Sequence, residues 1–537
     1  MTNKSVRTVA VGVLLDDRIQ EVWTIECLRQ CFAVPGVTLT ALALARLRPR
    51  RSLAVRLHHL FDRLDERTRC RGERLFAAAD VVAELALSPL QIGLSRHGNH
   101  WRPDEAGIAM LERCEVDLWL CFSAIPPSRL PRSVSRLGAW GIEIGDGVSA
   151  TNVWAGAAET GVGCPVTMVS IVDYAEAGDD LLYQSYGATV GNSPRRNRLR
   201  ALQKGVSFFR RLLERQMLAP DSWPPQRPAT LPAPLHHSKL PAPTVSALAR
   251  LAWRLGANWV AHRLPSSYKL EQWQIAYYFS DEEDQGRRFE RLRYMVPPKD
   301  RFWADPIAVE HEGRYFIFFE ELPYDTQKGR VMVVEVFEDA EPGAPQVALE
   351  RPYHLSYPFV FNWNGSMYML PETAENNTVE LYRSESFPLG WNLHQVLLEN
   401  IRAFDASLWR QDDRWWMFAN VAEPEADSCD ELHLYSSTTP LGPWKAHRSN
   451  PVVSDVRFAR PAGPLFLRGK KLYRPSQDCS VAYGHSILIN RVESLTDDTY
   501  RETQVDRIAP GWKKDILRVH TVGASKRLRV VDCIVRR

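Results

Sequence analysis

The chain has 537 residues, 45% hydrophobic and 24% charged, and its 67 basic and 64 acidic side chains balance to +3 at pH 7. That length allows two to four domains, and so even a charge excludes the basic footprint of a nucleic-acid-binding protein. With no apolar run approaching about 18 residues, no transmembrane helix is expected either.

The opening MTNKSVRTVAVGVLLDD carries too short an apolar run for a secretory signal and reads as a first buried strand. Apolar runs at 8–14, 37–44 and 116–123 predict buried strands, and 19–32 a helix between the first two. An arginine cluster at 46–56 reads as a solvated helix face. Strands alternating with helices argue an α/β domain on a mainly parallel sheet over residues 1–218. An amphipathic helix at 195–218, with Leu199, Leu202, Phe209, Leu212, Leu213 and Met217 on one stripe, closes it. Nine cysteines without a C-x-x-C pair, Cys27 and Cys31 sharing a helix face, fit burial in a reducing compartment. The expectation is a cytoplasmic protein without a metal site.

Residues 219–243 are rich in proline and read as a linker. In the connecting stretch 244–271 a helix is expected, with Arg250 and Arg254 beside Leu248, Leu251 and Leu255. From 272 to 537 the texture changes to short strands and polar turns. HEGRYFIFFEE (311–321) recurs as WNGSMYMLPET (363–373), QDDRWWMFANV (411–421) and LRGKKLYRPSQ (467–477), with a weaker fifth copy, ASKRLRVVDCI (524–534). The turn positions Gly313, Gly365, Asp413 and Gly469 lie 52, 48 and 56 residues apart. A hairpin about every 50 residues is the period of a propeller blade, so five units predict a five-bladed β-propeller over 272–537.

The same register aligns polar residues. Eight positions before each turn stand Asp305, Tyr357, Asp405 and Pro461, and seven after it Glu320, Glu372, Asn420 and Ser476. Equivalent positions of successive blades face one another around a propeller's channel, so Asp305, Glu320, Glu372 and Asp405 are expected in one pocket. Carboxylates gathered there repel one another, which leaves one protonated and another ionised, the pair that glycoside chemistry needs. Phe302, Trp303, Tyr357, Trp409 and Trp415 are candidates either for stacking on sugar rings or for the core. The later repeats bring Arg460, Arg474, Gln477, Asp478, His485 and His520 to the same rim. Guanidinium groups there suit either an acidic substrate or ion pairs that orient the acids.

The stretches RFWADPIAVEHEGRYFIFFEE, PYHLSYPFVF, MLPETAENNTVELYR, SDVRFARPAGPLF and LYRPSQDCSVAYG resemble the propeller domain at the N-terminus of plant glucosamine inositolphosphorylceramide transferases, also found in many bacterial proteins. In those plant enzymes the transferase chemistry is attributed to a different, C-terminal domain, not expected here. More remotely, the domain resembles five-bladed family 43 glycoside hydrolases. Their first-blade aspartate is the general base, and Asp305 matches it. Their second-blade Asp tunes pKa and their third-blade Glu is the acid. Glu372 and Asp405 hold the comparable blades here with the residue types exchanged. The resemblance thus implies Asp305, Glu372 and Asp405 as the catalytic set, and the residues that the repeat register brings to the same rim, Glu320, Arg460, Arg474, Gln477, Asp478 and His520, are the candidates for binding substrate.

In the first domain, VDLWLCFSAIPPSRLP, LGAWGIEIGDG and NVWAGAAETGVGCPVTM resemble formyltransferases of the methionyl-tRNA and amino-sugar kind, matching at Trp154, Gly156, Glu159, Thr160, Gly161 and Val162. Gly141, Glu143 and Glu176 stand where that family has its catalytic Asn, His and Asp. The resemblance implies a formyltransferase-like, Rossmann-like fold with a degenerate site. Without an imidazole the attacking amine has no general base, and a folate donor is not expected.

Three functions are open on this reading. The leading one is a carbohydrate-active protein of glycan or glycolipid biosynthesis or modification, acting on a sugar, sugar nucleotide or glycolipid by transfer or by hydrolysis. The others are a non-catalytic glycan-binding module and an amino-sugar N-formyltransferase with an atypical Glu143/Glu176 site.

Overall fold

Val9–Leu15 (β1) is apolar along its whole length because helices cover both faces of its sheet. The computed structural model describes residues 8–45, 53–70, 72–97, 100–125, 127, 130–145, 147–174, 180–218, 245–261, 271–281, 289–424 and 426–537. The chain divides into two compact units, Met1–Leu264 and Pro265–Arg537. The stretch 219–243 and Glu176 lie outside the described residues.

In the first unit β1, β2 (Val37–Leu44), β3 (Leu90–Gln91), β4 (Leu118–Phe122) and β5 (Ala139–Ile144) run parallel in the order β3-β2-β1-β4-β5. Beyond β5, β6 (Val166–Asp173) and β7 (Asp180–Ala188) continue antiparallel, so the sheet is mixed. Trp23 and Leu28 from α1 (Val22–Phe32) pack on one face with Phe122, Trp140, Phe209 and Leu212. Trp101, Leu111, Trp119 and Leu130 fill the other face. The unit also holds the helices α2 (Leu53–Arg69), α3 (Ala157–Val162), α4 (Pro194–Gly205), α5 (Phe208–Leu218) and α6 (Val245–Ala261), with two short ones at Val81–Leu85 and Glu105–Glu112.

Two elements differ from the sequence reading. Ile19–Glu21 is a strand paired with Ala78–Asp80, and the helix starts only at Val22. Arg198 Nη1 holds the Glu21 carboxylate at 2.9 Å, fixing that residue outside the helix. The single helix expected at 195–218 is two, α4 and α5. Gly205 is a weak helix former, and the Ser207 hydroxyl donates to the Lys204 carbonyl at 3.1 Å, which ends α4 there.

In the second unit each hairpin repeat is the inner pair of an antiparallel sheet. β8 (Glu271–Phe279) opens the unit. The hairpins follow as β9 (Arg301–His311) with β10 (Arg314–Pro323), β11 (Ser356–Trp363) with β12 (Ser366–Glu372), β13 (Ala403–Gln411) with β14 (Arg414–Val421), β15 (Phe466–Arg468) with β16 (Lys471–Asp478), and β17 (Val522–Ser525) with β18 (Leu528–Arg536). The last blade takes its outer strands from the start of the unit. β18 pairs with β8 from Arg536↔Glu271 to Leu528↔Phe279, and β8 with Arg293–Met295. This sews five sheets into a closed five-bladed β-propeller and removes the exposed edges an open array would carry.

Candidate functional site

The innermost strands of the first three blades break their ladders at one common level. The register shifts between Ala304 and Ile307, between Ser356 and Phe359, and between Phe404 and Ser407. One residue inside each bulge is left-handed: Asp305 at φ 51°, Tyr357 at 41° and Asp405 at 51°. Aspartate is among the few residues that tolerate this conformation; a tyrosine does not, and it is held there by its buried hydroxyl, 2.7 Å from Ser407 Oγ on the next blade. Bulges of this kind re-aim side chains, and here they bring groups from different blades together.

Arg460 ties three blades. Its Nε and Nη2 donate to the two Asp405 carboxylate oxygens at 2.6 and 3.1 Å, and Nη2 lies 3.4 Å from Glu372 Oε2. Gln477 Nε2 adds a third donor to Asp405 at 3.0 Å. Asp305 joins the first blade to the fifth: Thr521 Oγ1 donates to its Oδ1 at 2.7 Å, and His520 Nε2 lies 3.4 Å from the same oxygen. Asp532 backs this pair, 2.6 Å from His520 Nδ1, while accepting the backbone N–H groups of Asp305, His520 and Thr521. Trp273 stacks on the His520 ring with centroids 4.1 Å apart. Glu320 Oε1 lies 3.3 Å from His354 Nε2, whose Nδ1 accepts the Gly329 N–H, so the proton sits on Nε2. Tyr483 lies over Arg460, its ring centroid 5.1 Å from the guanidinium carbon.

Burial dominates the electrostatics. It pushes the Asp305 carboxyl up to about 6, with Asp405 and Asp532 adding to the rise and His520 opposing it. Glu320 and Glu372 are raised by burial first and then by the neighbouring acids, against the pull of Arg460. Burial would lower His520, but Asp532 and Asp305 outweigh it and raise the imidazole to about 9, so it is cationic at neutral pH. Burial lowers His354, which stays neutral. Asp305, His520 and Asp532 bring ligand-type atoms within 4.8 Å of one another. The Asp532 oxygens accept three backbone N–H groups and one of them lies 2.6 Å from the His520 ring, so the three residues form a charged network joining the first and fifth blades.

Asp305, Glu320, Glu372, Asp405, Arg460, Gln477 and His520 therefore lie in one buried cluster. Arg474, expected at the rim, is fully buried inside the fourth blade, its Nε and Nη2 on Glu502 at 2.8 and 2.6 Å. Its partners explain the correction: Glu502, on a strand outside the hairpin repeat, and the Phe458 carbonyl take up the guanidinium within the blade. Asp478 caps locally, accepting Ser480 Oγ at 2.6 Å. Glu321, on the opposite face of β10 from Glu320, binds Trp303 Nε1 at 2.9 Å and Arg330 at 2.7 Å. Tyr357 is fully buried and offers no face to a sugar, while Trp415 is half-buried and packs on Phe361 with centroids 5.8 Å apart.

In the first unit Tyr174 OH donates to Glu143 Oε1 at 3.0 Å. A side chain at Gly141 would meet the Tyr174 ring at 2.4 Å, so an asparagine does not fit there.

The sequence reading missed His354, Tyr483, Thr521 and Asp532. Asp532 falls opposite Phe319 when the fifth copy is aligned by sequence, and only the observed ladder places it on the face of Glu320. His354 and Tyr483 lie in connections outside the hairpin repeat, where no register points to them.

Residues 295–518 match the family described as glucosamine inositolphosphorylceramide transferase 1, N-terminal. The chain is similar to the glucosamine inositolphosphorylceramide transferase 1 of Oryza sativa subsp. japonica, 37% identical over 212 residues that are 38% of this chain and 28% of that protein. It is likewise similar to the Arabidopsis thaliana protein of that name, 34% identical over 208 residues, 38% of this chain and 27% of that one. The chain thus matches less than a third of the length of these curated relatives. Among solved structures, a family 117 glycoside hydrolase of Zobellia galactanivorans aligns with TM-score 0.33 at 12% identity, over 49% of this chain and 90% of that one. The β-xylosidase RS223 aligns with TM-score 0.32 at 14% identity, over 42% and 81%.

Proposed function

We propose that the chain is a carbohydrate-active protein of glycan or glycolipid assembly, with its sugar site where the blades converge on Asp305. The observation that carries this reading is the division of protons within one cluster. Asp305 faces a cationic His520 and holds its charge at neutral pH, whereas burial and the neighbouring acids favour the protonated form of Glu372. Asp305 is then the base or nucleophile and Glu372 the proton donor, the two roles that glycosyl transfer or hydrolysis requires. Arg460 is saturated by Asp405 and Glu372, so it orients acids rather than binding an anionic substrate. With five carboxyl groups against Arg460 and His520, the pocket favours a neutral or amino sugar over a uronate or a phosphate. The name shared by the plant relatives, which includes glucosamine, agrees with that charge balance.

A glycan-binding module is the second reading, favoured by the contact that Arg460 makes with Glu372, which competes with proton donation. Calorimetric titration with neutral, amino and acidic oligosaccharides and sugar nucleotides, followed by product analysis, separates the two. Binding of acidic sugars alone, or of none, sinks the proposal. For the first unit we infer a formyltransferase-like fold without formyl transfer. The parallel order β3-β2-β1-β4-β5 and the Tyr174 ring where an Asn side chain would stand support this. Folate-dependent formylation of an amino sugar, abolished by Glu143→Ala, would contradict it.

A further inference from the structure

In α2 every carboxylate points to one side. Asp65 is buried and accepts Ser193 Oγ at 2.6 Å and the Arg195 N–H at 3.1 Å, where α4 begins. Asp62 and Glu66 lie 2.7 and 3.3 Å from the Arg195 guanidinium. The other side of the helix carries no acid. Leu57, Leu60 and Leu64 follow the i, i+3, i+7 spacing of one stripe and are 39%, 57% and 52% exposed. Arg56, Arg63 and Arg67, all exposed, flank that stripe along one border.

α6 packs against α2 and repeats the pattern. It has no acidic residue between Val245 and Ala261. Leu251 is buried beside Trp154 and Ala157, while Trp253 on the far side is 80% exposed and Arg250 is exposed with it.

We propose that α2 and α6 dock the first unit onto an anionic lipid bilayer, lying in the headgroup region. Exposed leucine and tryptophan beside arginine, with the acids of α2 confined to its opposite side, is the composition that an interfacial helix needs. A solvent-facing helix mixes both signs of charge instead, and a cationic border matches the negative surface of an acidic leaflet. No helix among the described residues is long and apolar enough to cross a membrane, so the contact is in-plane. This inference stands apart from the sugar site and does not rest on it.

The test is cosedimentation of the full chain with vesicles of phosphatidylcholine, or of phosphatidylcholine with phosphatidylglycerol. Binding is expected only with the anionic lipid and weakens as salt rises. Leu57→Ser/Leu60→Ser lowers the affinity about tenfold or more, and Arg56→Gln and Arg63→Gln about fivefold each. Trp253→Ala, at a side chain that supports no core, gives the same loss without risk to the fold. A wild type that ignores both vesicles overturns the proposal, as does binding that neither the leucine pair nor Trp253 affects. A dimer in light scattering that the leucine variant dissolves, without vesicle binding, assigns the surface to a second copy and overturns it too.

Discussion

Asp305→Asn separates a functional carboxylate from a structural one. Asparagine keeps the shape, accepts the same Thr521 hydrogen bond, and suits the left-handed φ of 51° at least as well. In the folded protein the carboxyl titrates near 6, against an ordinary value of 3.8. Its ionised form is therefore disfavoured by the fold. Below 3.8 both folded and unfolded chains are protonated and nothing is lost. As pH rises through about 6 the native state is penalised, and the penalty then holds until His520 loses its proton near 9. A difference of about two pH units corresponds to at most about 3 kcal/mol at neutral pH, or several degrees in melting temperature for a unit of this size. Asparagine carries no such penalty. Calorimetry on the full chain should show the variant melting above wild type at pH 7 and level with it at pH 4, while any glycosyl turnover falls by about 10² or more. A variant destabilised equally at both pH values would refute the reasoning, because Asp305 would then be a net stabilising member of its ion pair.

Arg460→Met strands Asp405 and Glu372 without their cation and should cost about 3–5 kcal/mol. Adding Asp405→Asn to the same chain should restore part of the loss, and an unchanged melting temperature for the single variant would contradict the ion-pair account. His520 contributes stability that is complete below 6.5 and lost as pH rises through about 9. Wild type should therefore lose stability between pH 7 and pH 10 and His520→Gln much less, whereas parallel curves would remove His520 from the network. Burial raises the thiols of Cys27, Cys31 and Cys121, so iodoacetamide should label them only after unfolding. Native labelling at any of the three, seen by peptide mapping, would show that this core opens.

How much of this was legible in the chain depends on whether a signal repeats. The hairpin HEGRYFIFFEE is informative because four further copies hold the same turn and alternation, and counting from each turn puts Asp305, Glu372 and Asp405 on successive blades. What counting does not supply is direction. Asp305, Tyr357 and Asp405 leave their ladders through left-handed bulges, and a bulge adds a residue that a strict period of two hides. Arg474 shows the opposite failure: a charged residue near the aligned rim was read as a ligand contact, but Glu502, on a strand outside the repeat, satisfies it within the blade. A guanidinium is assigned by what neutralises it, and that partner is set by tertiary packing. The same principle explains why Arg460 and Arg474, both buried and both paired with acids, differ in consequence. Arg474 meets its carboxylate inside one sheet and only stabilises it. Arg460 spans acids of two different blades, so its charge sets the proton distribution at the point where the blades meet.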